Sequence, residues 1–428
     1  MAAAAALTEV DGVDDIDCVL REHQSTDAFN LSEAARSALS SEVNRDKTRL
    51  EVIEERAGLA RLKATEHVGI VSLPDGPTVE IRAKAPGTSL LTLLRFAHAV
   101  EGSTVDQPTS IKGGRTFIEA LGALYNAELG STLKQGLHRD YRQMEEAETH
   151  LRGRLDVPRQ LRRQGATPTE FECSYSELTP DTTVNRSVLY ATELLSRLIQ
   201  NRSLSQALQK HAHQLRRHVT RTHVRAVELE GVELSRLTDH YKDLLQLTKL
   251  VLRSVYIKEL RRGQRASFAL LVNMNEVFES AVERAVKEGL SDRSELVVRG
   301  QASSQSLISG GQRTITIRPD ILVEDRHGNP VLVGDAKWKL DDPDNDNKEP
   351  SNADIYQLIA YQVAHDVPGV LFYPAQKGRV SSSYAVRNLH PLRTVEVPIS
   401  SEDSGESYAR TVTAGISEVL SDIEGTPV

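Results

Sequence analysis

The chain has 428 residues, 26% of them charged, with a net charge of −8 and a mean hydropathy of −0.37. That length suggests two or three domains with their own cores, and no apolar run approaches the roughly 18 residues of a membrane span. Only Cys18 and Cys173 occur, without His or Cys neighbours at zinc spacing, which argues against a disulfide framework or structural zinc and suits a reducing cytoplasm.

The opening MAAAAALTEV has no basic n-region and is followed by the acidic DGVDDID, so neither a secretory signal nor a transit peptide is expected. A helix is predicted around Leu31–Val43. Residues 67–85, HVGIVSLPDGPTVEIRAKA, alternate apolar and polar residues across a PDGP turn and read as a β-hairpin with a basic end at Arg82 and Lys84. Its shape suggests a projection that enters a ring-shaped partner, or else an ordinary sheet edge. Thr88–Val100 reads as an amphipathic helix and Glu101–Gly114 as a loop. From Arg115 to about Arg262 the pattern is mostly helical, broken by β-like stretches at RGRLDVPRQ and FECSYSE.

Between Leu194 and Val227 there is no Asp or Glu, while Arg197, Arg202, Lys210, Arg216, Arg217, Arg221 and Arg225 accumulate; Lys258, Arg261, Arg262 and Arg265 follow. Such runs suit backbone phosphates or an acidic protein partner, and the sequence leaves both open. The histidines form no metal set. No G-x-x-x-x-G-K-[ST] loop occurs, so no nucleotide is expected to bind through this chain's own motifs.

The helix pattern Asn273–Val286 repeats apolar residues at helical spacing and carries Glu276, Glu279 and Glu283 along one side. Residues 314–324 and 330–338 are β-rich and flank the turn DRHGN. A hairpin centred between His327 and Gly328 pairs positions that sum to 655, which sets Asp320 opposite Asp335, about 4.5–5.5 Å apart at Cβ. Lys337, two residues on, shares their face. Repulsion between the carboxylates gives fold stability no reason to place them together; a divalent cation would. The acidic loop Asp341–Pro350 reads as disordered. Ser351–His365 is a second helix, capped by Ser351 or Asp354, with Gln357 and Tyr361 one turn apart. Pro368–Pro374 reads as a buried strand.

The constellation Pro319-Asp320…Asp335-x-Lys337 resembles the PD-(D/E)xK phosphodiesterase site. The chemistry suits it. Mg2+ prefers oxygen ligands and retains water, it lowers the pKa of that water, and a lysine alongside offsets developing charge. The resemblance implies Mg2+ as cofactor, with Mn2+ as a substitute, held by Asp320, Asp335 and a helix glutamate, here Glu279. Gln357 and Tyr361 resemble the Q-x-x-x-Y element that borders the site in the RecB-like branch, making Gln357 an auxiliary catalytic residue.

Over most of its length the chain also resembles McrC, the nuclease subunit of McrBC-type modification-dependent restriction systems. The matching segments come in family order: VGIVSLPDGPTVEIRAK with SLLTLLRFA, LRGRLDVPRQ, SYSELTPDTTVNRSV, NEVFE, PDILVE…LVGDAKWK, DIYQLIAYQ and LFYP. One departure is Ala83, where the family tends to have proline. The expected fold is α/β (α+β): a PD-(D/E)xK restriction-endonuclease-like core over residues 263–428, preceded over 1–262 by a hairpin-containing, largely helical region that docks on a partner. The resemblance implies a metal-dependent endodeoxyribonuclease of the cytoplasm, acting on double-stranded DNA and stimulating an AAA+ McrB-type GTPase or ATPase ring, with no membrane partner. The alternatives are a stand-alone RecB-like nuclease and a non-catalytic activator of such a ring.

Overall fold

The computed structural model describes residues 16–84, 87–98, 117–163, 169–232, 234–257, 268–300, 305–308, 315–339, 349–375 and 382–398, together with 410, 413, 414 and 417. The loop expected at Glu101–Gly114, the second basic cluster and most of the acidic loop Asp341–Pro350 lie outside the described residues. The chain divides into two compact units. One comprises residues 1–124 and 254–428; the other comprises residues 125–253.

The first unit starts with β1 (Cys18–Arg21) and β2 (Phe29–Asn30), then α1 (Glu33–Ala38), whose N-cap Ser32 accepts the amide of Ala35. The helix continues as a π-turn over Leu39–Val43, so the segment predicted as one helix changes hydrogen-bond pattern halfway. Strands β3 (Leu50–Glu54) and β4 (Leu59–Ala64) pair antiparallel, with β2 on the other side of β4. The predicted hairpin forms as β5 (His67–Ser72) and β6 (Thr78–Arg82). It does not project. β5 is buried along most of its length, lies between β6 and a strand from far downstream, and β6 pairs in parallel with β1. Gly69 (φ 153°) is required there: a Cβ would stand 1.8 Å from the Leu270 carbonyl oxygen. After β6 comes α2 (Gly87–Ala97).

Helix α3 (Phe117–Gln135) carries the chain into the second unit. There β7 (Asp140–Glu148), β8 (Arg154–Leu155), α4 (Val157–Arg163) and β9 (Phe171–Thr179) form a ribbon in which β9 is central. The helical expectation fails at β7, and VPRQ is helical rather than β-like. β7 has no apolar alternation because it is exposed along nearly all of its length, and only its nine-residue pairing with β9 makes it a strand. Gly153 (φ 67°) closes the turn in RGRLDV, and Arg152 stacks 4.0 Å over the Tyr175 ring. Helices α5 (Thr183–Leu198), α6 (Arg202–Arg216) and α7 (Lys242–Ser254) complete the unit. The segment PDTTVNR is a structural knot. Thr182 caps α5; Asn185 donates to the carbonyls of His138 and Pro180 and accepts from Tyr241; Asp181 clasps Arg186 and Thr220.

Returning to the first unit, β10 (Val255–Ile257) and β11 (Phe268–Asn273) complete the five-stranded sheet β1-β6-β5-β11-β10. β11 thus lies just past the boundary expected at 262/263. β11 belongs to the N-terminal sheet, because Ala269 and Leu271 pack into the same core as Val71, Val79 and Ile81. α8 (Met274–Gly289) follows directly, its N-cap Asn273 accepting the amide of Asn275. Next come β12 (Leu296–Gly300), β13 (Gln305–Ile308), β14 (Ile315–Ile317), β15 (Ile321–Asp325), β16 (Pro330–Ala336), α9 (Asn352–His365), β17 (Gly369–Pro374), β18 (Ser383–Tyr384) and β19 (Leu392–Val397). Their six-stranded sheet runs β12-β15-β16-β17-β19-β18; β16 and β17 are parallel and joined through α9. α8 packs on β12 and β16, and α9 packs on β16 and β17. Side chains of β15 and β16 are accordingly buried on both faces.

Candidate active site

Strands β15 and β16 pair in the register expected from the sequence: Ile321 faces Gly334, Leu322 faces Val333 and Val323 faces Leu332. The turn is fixed by Asp325, which accepts the amides of His327 and Asn329, and by Gly328 at φ 83°. One step beyond the paired residues, Asp320 meets the end of β16, its Oδ2 accepting the amide of Ala336 at 2.9 Å. Asp335 is buried (1% exposed) on the face that carries Val333, where Leu358 and Tyr361 of α9 also pack.

Lys337 Nζ lies 2.6 Å from Asp335 Oδ2. That oxygen is fully buried and accepts no aligned hydrogen bond. Gln357 Nε2 approaches Asp335 Oδ1 at 3.5 Å and donates to Tyr361 Oη at 2.7 Å, while the tyrosine hydroxyl donates to the Arg318 carbonyl at 3.2 Å. The structure thus brings Asp320, Asp335, Lys337 and Gln357 together, and Tyr361 ties α9 to the strand that delivers Asp320.

Burial pushes both carboxyls above the ordinary aspartate range. Glu279 adds its negative charge at Asp320, and Asp320 adds its own at Asp335. Burial opposes the charge of Lys337, but Asp335 and Asp320 outweigh it and hold the ammonium above its usual pKa. Three of the four glutamates of α8 share one side, and they divide. Glu276 pairs with Lys47, Glu283 pairs with Lys287 beside Gly300, and Glu279 is the one whose charge reaches Asp320. Among the described residues no three His, Cys, Asp or Glu side chains converge as a metal cage. The donor set is two buried aspartates under mutual repulsion, one of them ion-paired with Lys337. That suits a hard divalent cation that keeps much of its water, as Mg2+ does.

A second polar cluster, unremarked in the sequence, adjoins the site. Lys339 Nζ contacts both oxygens of Asp354 at 2.8 and 2.6 Å, Tyr373 Oη donates to Asp354 at 3.1 Å, and Ser351 caps α9. Its sequence signal was the second lysine of K-W-K, two residues beyond Lys337. Within the second unit, the basic run is partly spent on its own chain: Arg216 and Arg221 both clasp buried Glu193, and Arg225 pairs with Glu228. Arg202, Lys210 and Arg217 are exposed.

A family model described as McrBC 5-methylcytosine restriction system component matches residues 62–374. No curated protein matches the chain. Among solved structures, a refined half-complex from a tetradecameric assembly of Thermococcus gammatolerans McrB AAA+ hexamers with bound McrC aligns with TM-score 0.58 and 18% identity, over 93% of this chain and 99% of that one. The cryo-EM structure of the Thermococcus gammatolerans McrBC complex aligns with TM-score 0.43 and 20% identity, over 64% of this chain and 88% of that one. No helix among the described residues is long and apolar enough to cross a membrane. The family match spans well over half of the chain, and with the ordered McrC-like motifs it shows that the chain belongs to the McrBC 5-methylcytosine restriction system components, as a McrC-type member.

Proposed function

We propose that this chain is the Mg2+-dependent endonuclease subunit of a McrBC-like restriction complex, with a PD-(D/E)xK core built on β15, β16 and α9. The observation that carries the reading is the buried Asp335 with Lys337 Nζ at 2.6 Å and Asp320 at the same strand end. Asp320 and Asp335 would hold the cation. When bound, it supplies a water of lowered pKa and charge neutralisation at the phosphate. Lys337 orients that water and offsets charge developing on the phosphoryl oxygens. Gln357 keeps the Asp335 carboxylate in place, and Glu279 takes part through water rather than by direct ligation.

The substrate in this reading is double-stranded DNA carrying a modified cytosine, in line with the family description. The partner is an AAA+ ring of McrB type, as in the archaeal assembly that the fold resembles. The β7–β9 ribbon is the better docking element than the buried β5–β6 hairpin. It exposes the cross-strand pair Tyr141 and Leu178, 71% and 45% accessible, on an otherwise charged surface.

The test incubates the chain with a McrB-type partner, nucleotide and plasmid bearing or lacking 5-methylcytosine, with Mg2+ or EDTA. Cutting of the modified plasmid only with Mg2+ and partner, lost in Asp335→Ala, is expected. Cutting without partner would favour the RecB-like alternative, for which the Gln357–Tyr361 contact speaks. Unchanged cutting by folded Asp335→Ala would sink the assignment.

A further inference from the structure

Trp338 is the chain's single tryptophan and follows Lys337 directly. β16 ends at Ala336; beyond it Lys337 reaches Asp335 while Trp338 turns to α8. The indole is buried and packs on Phe278, with ring centroids 5.6 Å apart; Phe278 immediately precedes Glu279. Its Nε1–H donates to Glu22 Oε1 at 2.9 Å. Glu22 is itself buried (2% exposed), and its second oxygen accepts the amide of Lys84 at 2.9 Å. Both carboxylate oxygens are thereby used, one on the end of the N-terminal sheet and one on the strand exit that delivers Lys337.

A buried acid is costly to keep, and nothing in the packing of β1 asks for one. An apolar residue in its place would leave the Lys84 amide and the indole N–H without this acceptor. What the carboxylate adds is direction: the indole must point one way, and the backbone of Trp338 with it. Lys337 is then held from both sides. Its amide donates to the Phe372 carbonyl at 2.9 Å, and the next residue is anchored on Glu22.

We propose that Glu22 is a positioning residue for Lys337, acting through Trp338, so that the segment before residue 62 is part of the scaffold of the nuclease site. This rests on the nuclease reading above. It assigns a role to a region that lies outside the family match and that carried no motif in the sequence.

The experiment uses the full chain with its partner and modified DNA, and compares Glu22→Gln, Trp338→Phe and the double variant. Gln keeps the size of Glu22 but can accept from only one of the two N–H groups; Phe keeps ring bulk without the donor. Each single variant is expected to lower the single-turnover cleavage rate at least tenfold at unchanged DNA affinity. The double variant should be no slower than the slower single, because both changes break one link. In Glu22→Gln the emission of Trp338, the sole indole, should shift or change in quenching. Wild-type rates in either folded single variant, or losses that multiply in the double, would overturn the proposal. So would unchanged Trp338 emission in Glu22→Gln. A wild-type chain that never cuts would instead sink the nuclease reading, and the emission measurement would still report whether Glu22 anchors Trp338.

Discussion

Lys337 Nζ sits 2.6 Å from the one oxygen of Asp335 that accepts no aligned hydrogen bond. The ion pair therefore offsets the charge of the buried carboxylate. This is the arrangement expected of a group that must exchange an internal partner for a cation.

The aspartates make metal-free stability depend on pH. Their folded pKa values are raised above the ordinary 3.8. Their contribution is then fullest below that value and is lost as pH rises toward neutrality. Asp320→Asn removes the repulsion and keeps an acceptor for the Ala336 amide. It should stabilise the metal-free chain at pH 8 by about 1 kcal/mol, roughly the worth of one pKa unit, and abolish cleavage. Thermal melts at pH 5 and pH 8, with and without Mg2+, check this. Mg2+ should raise the wild-type melting temperature more at pH 8 than at pH 5, and the variant should show no such difference.

Lys337→Ala should slow cleavage by about 10²–10³-fold, the usual loss of one preorganised stabilising group. Its stability cost should be small, about 1 kcal/mol, because Asp335 with its raised pKa takes up a proton instead of standing charged and alone. Denaturant titration beside single-turnover kinetics separates the two. A large stability loss would mean that the ion pair is a structural device.

Gln357→Ala should reduce cleavage by roughly 10–100-fold, the range for groups that hold a metal-ligating carboxylate. The apparent Mg2+ requirement should rise, since Asp335 loses the amide that orients it. A cleavage-against-Mg2+ titration reads both; an unchanged midpoint would remove Gln357 from the site.

Gly69→Ala should destabilise the first unit by about 3 kcal/mol or more, because backbone must move to admit the methyl group. Circular dichroism melts would show it. A change within 0.5 kcal/mol, about the scatter of neutral substitutions, would refute the tight crossing of β5 and β11.

Tyr141→Asp with Leu178→Asp should leave the melting temperature within about 2 °C, as exposed positions allow, yet remove stimulation of the partner's NTPase. Turnover measurements with full-length protein decide it. Normal stimulation would return the docking role to another surface.

The β15–β16 hairpin was legible because its signals are local. The turn DRHGN sets the register, and the period of two places Asp320, Asp335 and Lys337 together, all within 18 positions. The N-cap of α9 and the Gln357–Tyr361 contact were legible for the same reason. What stayed hidden depends on partners far away in the chain. β11 reads as a short apolar run whose place beside β5 is set some 200 positions upstream. β7 reads as a helix former until β9 pairs with it. Glu22 bears no signal at all, since its meaning lies in Trp338, 316 positions on. The 262/263 boundary followed the motifs, whereas the core follows the sheet.

Because β5 pairs with a strand that lies beyond residue 253, the first unit cannot close its sheet while the chain is still short. The helical unit 125–253 is synthesised whole before β11 leaves the ribosome, and domains tend to fold as they emerge. During that interval the apolar edge of β5 waits uncovered, a moment when a chaperone or a neighbouring nascent chain can bind it. Asp320, Asp335 and Lys337 likewise come together only after the whole of the 125–253 unit has been translated.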